Sequence, residues 1–167
     1  MTFACPVWFR LHGVDRGLIW QTDDGTQTTY EDSDTVLVLD RRVVTALTAE
    51  ALAELADRHG LALEDAEDQP LDLDGLDHLL ELAASKEICS QLMNAWNLYG
   101  DIARSLEATL HDDGQEAQRC YDKLFYGNNL PTITPAGGQY RPYLTDAEQH
   151  LIRGILTRGR AILATHL

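Results

Sequence analysis

The sequence predicts an α+β fold, a small antiparallel N-terminal sheet with one helix followed by a mainly helical C-terminal half. Three observations carry that prediction. In the first third, Val7, Phe9 and Leu11 alternate with Trp8, Arg10 and His12, and the runs GLIWQT and TVLVLD are apolar and β-branched, as half-buried strands are. From Ile88 to Leu106 apolar residues recur every three or four positions, the stripe of a long helix. Thr145, Asp146, Ala147 and Glu148 then open the last apolar run with a full capping-box pattern.

In chain order, the first strand is expected to turn at Asp15, Arg16 and Gly17 into GLIWQT. DDGTQTTYEDSD follows, a polar stretch whose Asp-Gly pair signals a hairpin tip or an exposed loop, and TVLVLD supplies a third strand. Thr48 is placed to cap a helix through AEALAELADRH, with Leu52, Leu55 and Ala56 on one face and Gly60 at its C-terminal end. LALEDAEDQP is a polar connection, after which Asp72 or Asp74 caps a short helix through LDHLLELAA, with Asp77 favouring its dipole.

The central helix is predicted from Glu87 to Thr109, carrying Ile88, Leu92, Trp96, Tyr99, Ile102 and Leu106. Gly100 inside it costs about 1 kcal/mol relative to Ala, which predicts a close crossing of another element there. A further helix from Gly114 to Tyr126 presents Ala117, Cys120, Tyr121, Leu124 and Phe125 on one side and is stopped by GNNLP. PTITPAGGQYRPYL is too proline-rich for regular structure and reads as an ordered connector pinned by Tyr140, Tyr143 and Leu144. The last helix runs to Thr165 with Leu151, Ile155 and Ile162, flanked by Ile152 and Leu163, facing inward. Without an internal repeat or a break in composition, the reading is one domain over 1–167, strand-rich at 1–60 and helical at 72–167.

A chain of 167 residues with 44% hydrophobic and 24% charged residues has enough apolar surface for a core of its own. Its 27 acidic against 13 basic residues give a net charge of −14, which argues against nucleic acid and anionic membranes as partners and favours a basic protein. The absence of a long apolar run and of a basic, apolar leader in MTFACPVWFRLHG makes a cytoplasmic location the expectation. Charge is uneven along the chain. Residues 61–84 carry 8 acids and no Lys or Arg, whereas 131–167 carry 4 basic and 2 acidic residues.

The motifs of familiar chemistries are missing. Neither phosphate-loop pattern nor a GxSxG nucleophile elbow occurs, and the six histidines show no HxxxH pair. Cys5, Cys89 and Cys120 are scattered and read as packed thiols. The segment PLDLDGLDHLLE meets a calcium-loop pattern only in part: with Gly75 at position 6, Asp72, Asp74 and Glu81 fall on positions 3, 5 and 12, but Pro70 occupies position 1 and Asp77 position 8. An acid-capped helix start is the preferred reading, and neither a metal nor another cofactor is expected.

What remains is a cluster of like charge, Asp65, Glu67, Asp68, Asp72, Asp74, Asp77 and Glu81, whose self-repulsion a partner bearing Lys or Arg would relieve. Asp23, Asp24, Glu31, Asp32 and Asp34 extend it. Tyr126, Tyr140 and Tyr143 flank irregular backbone and are the candidate aromatic anchors. In its acidity, its small size, and the segments MNAWNLYGDIARSL and YDKLFYGNNLPTITP, the chain resembles small acidic bacterial immunity proteins that neutralise toxins. The resemblance implies a stoichiometric inhibitor that occludes a basic toxin domain. The sequence-based expectation is therefore a non-enzymatic acidic binding protein. Its alternatives are a subunit that self-associates through the Trp96 helix or the last helix, and an enzyme with a carboxylate or tertiary metal site.

Overall fold

The computed structural model of the chain describes residues 2–23, 34–65 and 69–167. Its elements are strands β1 (Thr2–Leu11), β2 (Val14–Asp23), β3 (Thr35–Val36), β4 (Val38–Leu39), β5 (Arg42–Val43) and β6 (Thr45–Ala46), helix α1 (Ala49–Arg58), strand β7 (Leu71–Asp72), and helices α2 (Leu76–Leu79), α3 (Lys86–Ser105), α4 (Gln115–Gly127) and α5 (Asp146–Thr165). The architecture is the α+β arrangement that the alternating runs and the helical stripes predict.

β1 and β2 form a long antiparallel hairpin, and its turn is His12 and Gly13, not Asp15, Arg16 and Gly17. Both turn residues have positive φ, 53° and 72°, as a two-residue turn matched to strand twist requires. Asp15 and Gly17 lie in β2 instead. There Asp15 faces Arg10 and accepts two guanidinium hydrogen bonds of 2.7 and 2.9 Å.

The run TVLVLD does not form one strand. Thr35 and Val36 pair with β2, while Val38 and Leu39 turn away to β5 through Asp40 and Arg41, both with positive φ. β6 pairs with β2 as well, and the sheet order is β3-β2-β1-β7. β7 comes from the residues just after the predicted polar connection, where Asp72 is a predicted helix cap, and runs parallel to β1, with Phe9 opposite Leu71. Two residues carry too little pattern to be recognised as a strand. Ala4 and Arg10 turn their carbonyls to this side of β1, accepting from the Glu64 and Leu73 amides. Pro6 has the same parity, so the ring nitrogen that cannot donate faces the strand's outer edge.

The sheet is apolar on both faces. Val7, Phe9, Leu11, Leu18 and Trp20 pack toward α3 and α5, while Ala4, Trp8 and Ile19 pack against Leu52 and Ala56 of α1. The sheet therefore lies between α1 and the α3–α5 bundle. Gly17 is required for this: a Cβ there would come within 3.1 Å of the Trp8 indole and 2.9 Å of Leu52.

The helices start where their caps are. Thr48, Ser85 and Thr145 each accept a backbone N–H at the head of α1, α3 and α5, and Thr145 and Glu148 complete the capping box. α3 ends at Ser105, earlier than predicted, because Glu107 takes a positive φ of 55°. The close crossing expected at Gly100 is elsewhere. A Cβ on Gly100 would meet nothing within 4 Å, but one on Gly159 of α5 would lie 2.2 Å from the Tyr99 ring. α3 and α5 meet there, and the missing side chain admits the tyrosine. Among the described residues, no helix is long and apolar enough to cross a membrane.

Candidate functional site

The structure divides the acidic run. Glu67 and Asp68 lie outside the described residues, as do Asp24, Glu31, Asp32 and the side chain of Asp23. Asp65 is exposed. Asp72 does not cap α2; its Oδ1 accepts the amides of Asp74 and Gly75, closing the turn ahead of that single-turn helix, whose cap residue is Gly75. Asp74 reaches the β1–β2 turn and accepts the His12 and Gly13 amides, each at 2.8 Å. Burial works against its ionised form, but those two bonds hold it below the usual carboxylate range. Asp77 lies against α5, 3.6 Å from Arg153 and 3.4 Å from Arg160. Glu81 is exposed and stands 3.7 Å from His78.

Asp74 and Asp77 thus tie the 72–77 segment to the hairpin turn and to the basic C-terminal helix, while Asp72 shapes the segment's own turn. They point to separate partners, so they form no calcium shell, and among the described residues no group of three or more His, Cys, Asp or Glu converges. Exposed acids free of ion pairs among the described residues include a stripe on α1. Glu50, Glu54 and Asp57 are exposed at i, i+4 and i+7 along α1, and the chain then leads to exposed Glu64 and Asp65 beside Ala4. The helical spacing made this stripe visible in the sequence, but the denser 64–81 run drew the attention.

Tyr126, Tyr140 and Tyr143 are exposed, at 54%, 43% and 78%. Tyr126 and Tyr140 line a shallow depression of about 280 Å³ with Ile133 and Pro135. Asn129 fixes it by pairing with both the N–H and the C=O of Tyr140, at 2.7 and 2.9 Å. Lys123 bonds the Tyr143 carbonyl and Glu148, each at 2.8 Å, joining α4, the connector and the head of α5. These tyrosines belong to the helical side of the molecule, and the sheet and α3 separate them from the acidic face of α1. The apolar stripes of α3 and α5 are spent in the core, where Trp96, Tyr99, Ile155 and Leu163 are buried.

One concavity was not expected from the sequence. A cleft of about 700 Å³ opens between the outer edge of β1 and α3. Pro6, Val7 and Trp8 form one wall, Gln69, Pro70 and Leu71 another, and Gln91, Asn94 and Asn97 of α3 the third, with Trp20 and Asp101 deeper in. A second hollow of about 360 Å³ continues past Asn97 and Asp101 toward Trp96, Asp112 and Tyr121.

Asp101, 8% exposed, is the buried charge between the two. Burial raises its pKa, opposed by hydrogen bonds from Trp20 Nε1 at 2.9 Å and Arg104 Nη1 at 3.0 Å. Arg104 also donates to the Asp34 carbonyl. Each carboxylate oxygen therefore has a donor from the fold, an arrangement that positions β2 on α3. Burial raises the thiol pKa of Cys89 and Cys120, as packed thiols require. The cleft's signal in the sequence was the i, i+3, i+6 spacing of Gln91, Asn94 and Asn97, a neutral stripe on the outward face of α3. Compared with protein-family models, with curated proteins and with solved structures, the chain matches none.

Proposed function

We propose that this chain is a non-enzymatic acidic binding protein that engages a basic protein, and specifically a cytoplasmic immunity protein that occludes the active site of a basic toxin domain. One observation carries the reading. The exposed carboxylates of Glu50, Glu54, Asp57, Glu64 and Asp65 have no ion-pair partner among the described residues, while Asp77 of the 64–81 run lies beside Arg153 and Arg160. Like charges held at helical spacing repel, and a Lys- or Arg-rich surface docked on them removes that cost and speeds encounter. The double anchoring of Asp101 supports binding over catalysis, because a carboxylate with both oxygens occupied is a poor acid–base group.

The test is a pull-down from native-host lysate eluted with a salt gradient. Wild type is compared with the E50Q/E54Q/D57N/E64Q/D65N variant. A single basic protein that elutes with salt, is lost from the variant, and regains its toxic activity when the wild-type chain is removed supports the proposal. Retention of the same protein by the variant, or no salt-sensitive partner at all, rejects it.

A further inference from the structure

We propose that the cleft between β1 and α3 binds a neutral, polyhydroxylated ligand of the saccharide class. The chemistry of its walls carries the inference, which is independent of the basic-partner reading. The chain carries a net charge of −14, yet the cleft mouth is lined by four carboxamides, Gln69, Gln91, Asn94 and Asn97, all exposed. Its two ionisable residues are already engaged. Asp101 holds Trp20 and Arg104, and Asp72 holds the Asp74 and Gly75 amides. Asp72 keeps its second carboxylate oxygen, and the other described polar groups left to meet a ligand are neutral.

Gln69, Gln91 and Asn94 each offer donors and an acceptor side by side, which matches hydroxyls that both donate and accept, while Asn97, whose Oδ1 accepts from the Tyr121 hydroxyl at 2.9 Å, adds its N–H donors. Among the described residues no Lys, Arg or His lines the cleft, so a phosphate or carboxylate ligand finds no counter-charge among them. Trp20, half-buried on the α3 side of the sheet, lies deeper in the cleft, and an indole presents a broad apolar surface on which the C–H face of a sugar ring rests. A volume of about 700 Å³ is that of a small-ligand pocket and takes one or two rings. A peptide main chain is the competing neutral ligand. It is disfavoured because Pro6, at the β1 edge of the wall, offers no N–H and interrupts a strand-like ladder there.

The experiment is an NMR titration of the isotope-labelled full chain, without any protein partner, using maltose, cellobiose and N,N′-diacetylchitobiose as probes. N-acetyl-trialanine methylamide and putrescine serve as peptide and cation arms. At least one disaccharide is expected to shift the indole N–H signal of Trp20 and the side-chain amide signals of Gln91 and Asn94 saturably. The Q91A/N94A variant, changed only at exposed positions, is expected to weaken that binding about tenfold or more. The variant altered at Glu50, Glu54 and Asp57 should bind the sugar as wild type does, which separates this proposal from the basic-partner one. The inference is overturned if no disaccharide saturates, if only the peptide or the diamine shifts these signals, or if Q91A/N94A binds unchanged.

Discussion

Two acidic regions of this molecule have similar composition and opposite engagement. In the 72–77 segment, Asp72 closes a turn, Asp74 holds the hairpin tip, and Asp77 lies beside two arginines of α5. Along α1, Glu50, Glu54 and Asp57 face solvent with no ion pair among the described residues. The difference teaches that acid density along a sequence does not identify a surface meant for a partner. A carboxylate in a dense run can be spent on backbone amides or on a helix that arrives eighty residues later, and only the folded chain tells the two uses apart.

The sharpest way to break this comparison is to disturb the helix that brings the arginines. In the Gly159→Ala variant, a Cβ placed 2.2 Å from the Tyr99 ring must push α5 off α3. A loss of about 3 kcal/mol in urea unfolding is expected, since overpacking of this kind lies at the high end of its range. Asp77→Ala comes next. It removes the carboxylate beside Arg153 and Arg160, and Nε and Nη2 of Arg160 are buried without a hydrogen-bond partner among the described residues. The expected loss is about 2 kcal/mol, between the limits for exposed and buried pairs. It should shrink in high salt.

Asp74→Ala should cost about 1 kcal/mol at neutral pH, a modest figure because the site faces solvent. Its pH dependence has a definite sign. The folded-state pKa of Asp74 is lowered, so its contribution is complete above the unfolded value near 4 and disappears as pH falls through the lower folded value. Wild type and variant should therefore converge in acid unfolding followed by circular dichroism. The smallest effect is expected on α1, where E50Q/E54Q/D57N should leave stability within about 0.5 kcal/mol of wild type. A loss above 1 kcal/mol there would show that the α1 acids are structural too and would remove the basis of the contrast.

Much of the fold was legible because its signals are local. Thr48, Gly60 and the Thr145–Glu148 box mark helix ends through bonds to neighbours a few residues away, and the stripe from Ile88 to Leu106 needs only a helical period. The failures share the opposite property. β7 is two residues long and exists through pairing with β1, and Gly159, not Gly100, admits a side chain from another helix. The site was less legible still. Gln91, Asn94 and Asn97 have readable spacing, but Trp8, Trp20 and Gln69 come together only when the sheet edge meets α3. Glu67 and Asp68 lie outside the described residues.

The hold of Asp74 on His12 and Gly13 also sets an order of assembly. A β-hairpin closes on its own in about 1–10 μs, as a local event. The two amides at its tip donate to a carboxylate 62 and 61 residues further on, so their protection is expected to wait until the 72–77 loop has docked. Slow hydrogen exchange at His12 and Gly13 is therefore a clock for the joining of the sheet to the helical half, read from the part of the chain synthesised first.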